Sequence, residues 1–243
     1  VASEGRYGNN FREVVPIMSV PAPDPHEIRQ ASLDELNRLG LPTPPANFAL
    51  VWDLGDRVGL RPLAEIEARI AVLDVVLGRC FGMPPELAME WLLDAHLVDR
   101  LTGPEWQFVA LGEGDHMVFA LHLEAVFALA WVLGIALDLD PLRPSPQGLI
   151  ERLPDLPRGE LYADWRSRTL TAPREPREVA ALLDLYYCLD WAYLEAERAR
   201  AQLPGMLDSN AIGQRRWALE WAVVFTGPYH DEPPGWEEID LSI

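Results

Sequence analysis

Three carboxylates stand at helical positions whose neighbours are apolar: Glu124 within MVFALHLEAVFALAWVLGIAL, Asp190 within LLDLYYCLDWAYLEAE and Glu220 within RRWALEWAVV. At the helical repeat, Asp190 shares a strip with Leu183, Tyr186, Tyr187, Tyr193 and Leu194, whereas Asp184, Glu195 and Arg198 fall on a different, solvent-like face. Glu124 is flanked by Leu121, Phe127, Ala128 and Trp131, and Glu220 follows Arg216 by one helical turn. A buried carboxylate without a partner is costly, or it takes up a proton. Arg215 and Arg216 are the natural partners, and the three acids are expected to converge on one or other of them. Two kinds of chemistry are open. One is an internal ion-pair network that locks helices together. The other is a polar ligand pocket holding Glu124, His122, Asp190, Arg215, Arg216 and Glu220, walled by Tyr186, Tyr187 and Trp217.

Other constellations are incomplete. HLE at 122–124 has the HxE spacing of zinc deaminases but lacks the PCxxC they require. EGDH at 113–116 is a single ExxH, and a di-iron bundle needs two with further glutamates. No metal site and no cofactor are expected, because HExxH, GxSxG, phosphate-loop and dinucleotide patterns are missing. His96, His116 and His230 stand alone, and the nine tryptophans mostly follow helical spacing. Trp236, in the acidic tail, is placed to clamp that tail onto the body.

Composition narrows the classes further. The 20 basic residues are all arginine, which removes lysine-based Schiff-base and phosphate-loop chemistry. A formal charge of −18 opposes binding to nucleic acid or anionic lipid and favours a basic protein partner. Cys80 and Cys188 lie in apolar helical patterns without CxxC spacing, as packing residues of a reduced, cytoplasmic protein do. No charged segment followed by an apolar run opens the chain, so no secretory signal is expected.

The elements that must position these residues are helical. Pro25 to Leu39 has helical spacing and is stopped by Gly40; VWDLGDRVGL then reads as loop. Leu63, Ile66, Ile70, Leu73 and Leu77 recur at three and four residues. Thr102 to Glu105 has capping-box spacing. Met117 to Leu137 reads as one long apolar central helix capped by Asp115. With Glu124 and His122 near its middle and no basic flank, it is expected to be buried and not to span a bilayer. Pro176 to about Gln202 is a long helix, and another runs from a cap at Asp208 or Ser209 to Gly227. No sustained alternating run suggests strands. The expected fold is all-α: one globular domain of about seven or eight helices, with an irregular N-terminal extension over 1–24, a helix and loop over 25–60, and the helical domain over 61–243.

From about Arg61 to Ile243 the chain resembles the bacterial DUF4272 family of unknown function. The resemblance rests on RPLAEIEAR, EWLLDAHLVDRLTGPEWQF, LEAVFALAWVLG, DLYYCLDWA, QRRWALEW and GWEEIDLS in that order. It implies a soluble bacterial domain and no particular activity. His122, Asp190 and Glu220 replace the arginine, histidine and asparagine usual in that pattern, whereas Glu124, Asp184, Arg215 and Trp131 keep it. Two functions remain as expectations: a non-catalytic protein-binding role of immunity or antitoxin type through the acidic surface, or an enzyme or small-molecule binder using the pocket named above.

Overall fold

The computed structural model describes residues 17–230 and 232–242, so most of the expected N-terminal extension lies outside the described residues. In chain order the elements are β1 (Ser19–Pro21), α1 (Pro25–Leu39), β2 (Arg57–Leu60), α2 (Leu63–Cys80), α3 (Pro85–Asp94), α4 (Gly103–Leu111), α5 (His116–Ala120), α6 (His122–Val132), α7 (Tyr162–Arg168), α8 (Pro176–Arg198), α9 (Ser209–Ala222) and β3 (Val223–Thr226). Short 3-10 turns fall at 98–100, 147–152, 156–158 and 236–238.

The boundaries follow from local chemistry. Asp24 accepts the His26 N–H at 2.8 Å to open α1, and Gly40, at φ 72°, closes it in the left-handed region. Thr102 and Glu105 form the expected capping box on α4. Asp115 caps α5, and Asp208 caps α9 through the Ala211 N–H at 2.9 Å.

Two apolar layers meet at α2, whose residues from Ile66 to Leu77 are all buried. On one side α6, α8 and α9 pack together, with α1 against α8, around Ile70, Leu129, Leu183, Leu189, Tyr193 and Leu219. On the other side α3, α4 and α5 cover Val72, Val76, Leu92, Phe108 and Phe119. A helix with apolar residues on nearly all sides suits a position between layers.

The fold is mostly helical, with three departures from the sequence expectation. A small antiparallel sheet in the order β1-β2-β3 pairs Ser19 with Gly59, Val58 with Phe225 and Leu60 with Val223. Its strands have three or four residues, too few to show a two-residue period. The expected irregular arm therefore contributes β1, the expected loop contributes β2, and the helix expected to reach Gly227 ends at Ala222, where Val223, Val224 and Phe225 continue as β3. Secondly, the expected helix from Met117 to Leu137 is interrupted at Leu121 and stops at Val132. Gly134 has φ 73°, and a Cβ there would lie 2.3 Å from the Ala172 carbonyl oxygen. The segment 172–174 donates to the Leu133 and Val132 carbonyls at 3.0 and 2.9 Å, so a crossing chain replaces the next helical turn. Thirdly, Asp184 is buried at 1% exposure rather than facing solvent. No single described helix is long and apolar enough to cross a membrane.

Candidate functional site

Arg215 projects from α9 and is fully buried. Its Nε and Nη2 donate to Glu124 Oε2 at 2.8 and 2.7 Å, Nη1 to the Asp140 carbonyl at 2.7 Å and the Tyr186 hydroxyl at 3.0 Å, and Nη2 to the Arg143 carbonyl at 2.6 Å. A guanidinium has five N–H groups, and all five are used. Glu124 Oε1 accepts from the Ser145 N–H at 3.1 Å, and the Tyr186 hydroxyl donates to the Leu139 carbonyl at 3.2 Å. Burial pushes the Tyr186 phenol up to about 12. One side chain thus ties α6, α8 and α9 to the 139–145 loop, with Phe127 beneath its guanidinium at 5.0 Å.

Arg216, the next residue, serves the other two acids. Nη1 donates to Asp190 Oδ2 at 2.7 Å and to the Leu241 carbonyl at 3.2 Å, Nε to Glu220 Oε2 at 3.2 Å, and Nη2 to the Asp240 carbonyl at 3.4 Å. Tyr187 lies against the guanidinium at 4.6 Å and stacks on Phe48 at 4.6 Å. Burial raises the Asp190 and Glu220 carboxyls above their ordinary values, and Arg216 opposes the rise in both. Glu220 is the open end of this group, its side chain 31% exposed. It borders a cavity of about 330 Å³ also lined by Leu183, Phe225, His230 and Glu232.

The three acids therefore converge on arginine as two separate assemblies, Glu124 on Arg215 and Asp190 with Glu220 on Arg216. His122 belongs to neither. Its Nδ1–H donates to Gln214 Oε1 at 2.9 Å, its ring meets Trp217 edge-on at 6.0 Å, and burial lowers its pKa so that it stays neutral. Trp217 stacks on Trp236 at 5.4 Å and donates its Nε1–H to the Trp236 carbonyl at 2.7 Å, which clamps the tail onto the body.

Sequence reasoning missed two further buried pairs. Asp184 accepts from Arg29 Nη2 at 2.7 Å and from the Ser32 hydroxyl at 2.7 Å, which fastens α1 to α8. Arg69 of α2 pairs with Glu105 of α4, beneath Trp236. Asp56 and His230 also bond at 2.7 Å. Nothing in the local pattern marked Arg29 or Arg69, since their partners lie 155 and 36 residues away. Among the described residues no three His, Cys, Asp or Glu side chains are grouped to hold a metal ion, and both cysteines are free thiols.

The model of the domain of unknown function DUF4272 matches residues 28–239, nearly the whole described chain. The chain belongs to the DUF4272 family. The match begins in α1, well before Arg61 where the sequence pattern first resembled it, so the DUF4272 unit includes Arg29 and its bond to Asp184. No curated protein and no solved structure matches the chain. Glu124, Asp184 and Arg215 all lie within the matched range and are buried and paired.

Proposed function

We propose that the protein is a non-catalytic binding protein that recognises a basic protein partner through an acidic face on α3, α4 and α5. The observation that carries this reading is the placement of charge. Arg29, Arg69, Arg215 and Arg216 are consumed inside the fold by Asp184, Glu105, Glu124, Asp190 and Glu220. The net negative charge is therefore carried mainly at the surface. Between 80 and 142 the only arginine is Arg100, while Glu86, Glu90, Asp94, Glu113 and Asp115 are all exposed. Exposed apolar side chains are interspersed with them: Leu93, Trp106, Leu111, Met117 and Val118. Acidic groups around apolar anchors suit a basic protein surface, with charge accelerating encounter and apolar contacts slowing release.

The second reading, a ligand pocket at the polar cluster, finds less support in the geometry, because Arg215 has no donor left to offer and Tyr187 and Trp217 are stacked on protein rings. Affinity capture from the source cells at low salt, followed by binding of the purified partner to wild type and to a variant with Glu86, Glu90, Asp94 and Glu113 changed to glutamine, tests the proposal. The expected partner is basic, its affinity falls steeply with salt, and the variant weakens it at least tenfold. A partner indifferent to salt and to the variant, or none at low salt, would overturn the reading.

A further inference from the structure

Helix α2 carries one more acid in an apolar run, Asp74 in AVLDVVLG. Asp184, Glu105, Glu124 and Asp190 each meet an arginine; among the described residues Asp74 meets none. The residue is 7% exposed, and its Oδ2 is buried without a hydrogen-bond partner. A buried carboxyl oxygen left in that condition is destabilising. Asp74 also lines a cavity of about 460 Å³, a size typical of small-molecule sites.

The rest of that cavity is apolar. Leu77 and Gly78 come from α2, Met83 from the turn that follows, Leu123 from α6, Leu153 from just after the 147–152 turn, and Leu156 from the 156–158 turn. Gly78 helps to keep the space open, since a Cβ there would come within 3.2 Å of Met83 Sδ and 3.5 Å of Leu156 Cδ1. Phe81, Leu87 and Ile150 line the same cavity and are 74%, 52% and 56% exposed, which makes its mouth apolar too.

We propose that this cavity binds an apolar small molecule bearing a single carbonyl group, whose oxygen accepts a hydrogen bond from the Asp74 side chain at the cavity wall. Burial raises the Asp74 carboxyl well above the ordinary carboxylate range, so it holds a proton and is a donor. Among the described residues no arginine or histidine lines the cavity, which argues against an anionic ligand. An ammonium ligand would need Asp74 ionised among leucines, where desolvation of both ions offsets their attraction. A plain hydrocarbon would fill the space and offer Asp74 no acceptor. The site is independent of the acidic-face reading.

Acetylnaphthalene, ethylnaphthalene and naphthylmethylamine have nearly the same shape and differ in the group offered to Asp74. Their binding to the full chain, followed by calorimetry or ligand-detected NMR, separates the possibilities. The ketone is expected to bind about fivefold more tightly than the hydrocarbon, the gain of one neutral hydrogen bond. Asp74→Leu should abolish that preference while ethylnaphthalene still binds, and Asp74→Asn, which retains a donor, should keep most of it. Thermal unfolding of each variant confirms that it is folded. Equal affinity for ketone and hydrocarbon, a preference that survives Asp74→Leu, tighter binding of the amine, or no binding of any of the three would each overturn the proposal.

Discussion

Five N–H groups on Arg215 reach acceptors on two other helices and a loop, and a lysine in the same place would have three donors without the planar fork. A chain whose cations are all arginine can bury charge in this way because each guanidinium satisfies several acceptors at once. Such pairs are not a large net source of stability, since desolvation offsets most of the attraction. What they supply is position: Glu124 accepts only where α6, α9 and the 139–145 loop are in register. Asp74 is the contrasting residue, buried with no such partner, and its effect on stability has a definite sign. Below its ordinary value of 3.8, folded and unfolded chains both carry the proton and Asp74 contributes no pH dependence. Above 3.8 the unfolded chain releases the proton while the folded chain keeps it, so stability falls with rising pH until the raised folded value is reached. Asp74→Asn removes this loss. Urea midpoints compared at matched pH should show the variant gaining on wild type as pH rises from about 4 to 7. A difference that stays flat over that window would contradict a raised carboxyl at this position.

Each long helix at the centre of the fold is completed by something distant in sequence. Helix α8 receives Arg29 from α1 and Arg216 from α9, and α6 ends where residues 172–174 cross it at Gly134. The tail is the clearest case. Trp236 stacks on Trp217, meets Trp221 edge-on at 5.4 Å, lies over Arg69 and is followed by the carbonyls that accept from Arg216. Trp236→Ala is expected to destabilise the fold by about 3–5 kcal/mol, the usual cost of emptying a buried tryptophan site. Urea unfolding gives the magnitude, and near-UV circular dichroism should lose intensity from the tryptophan stack. A cost below about 1 kcal/mol would mean that the tail contributes little to holding α9.

Across the whole molecule, charge is segregated. The interior pairs are nearly neutral, and the exterior carries most of the −18. Repulsion among surface acids opposes the compact state, and added salt screens it while leaving buried pairs little changed. The midpoint of thermal unfolding should therefore rise between about 0.01 and 0.15 M sodium chloride, over which the screening length shrinks from about 30 to 8 Å. Scanning calorimetry at several salt concentrations checks this. A midpoint that falls with salt would show that surface attraction outweighs repulsion, contrary to the charge distribution. The same screening would weaken a basic partner, so stability and binding are expected to move in opposite directions with salt.

The sequence by itself determined the helical class, most helix starts and the presence of paired acids, because caps and apolar periodicity are local and a carboxylate among leucines demands a partner. Thr102 with Glu105, Asp115 and Asp208 were legible for that reason, as was the need of Glu124, Asp190 and Glu220 for arginine. Only the tertiary structure decided which arginine each acid takes. It also decided that Asp184 faces Arg29 rather than solvent, that three short strands pair, and that Asp74 is left unpaired beside a cavity. These outcomes depend on groups that are distant in sequence and adjacent only after packing. A helical repeat tells which side a residue occupies, but not what arrives on that side. Asp74 carried the same signal as Asp190, an acid in an apolar run, and only the surrounding fold distinguishes the acid that meets an arginine from the one that does not.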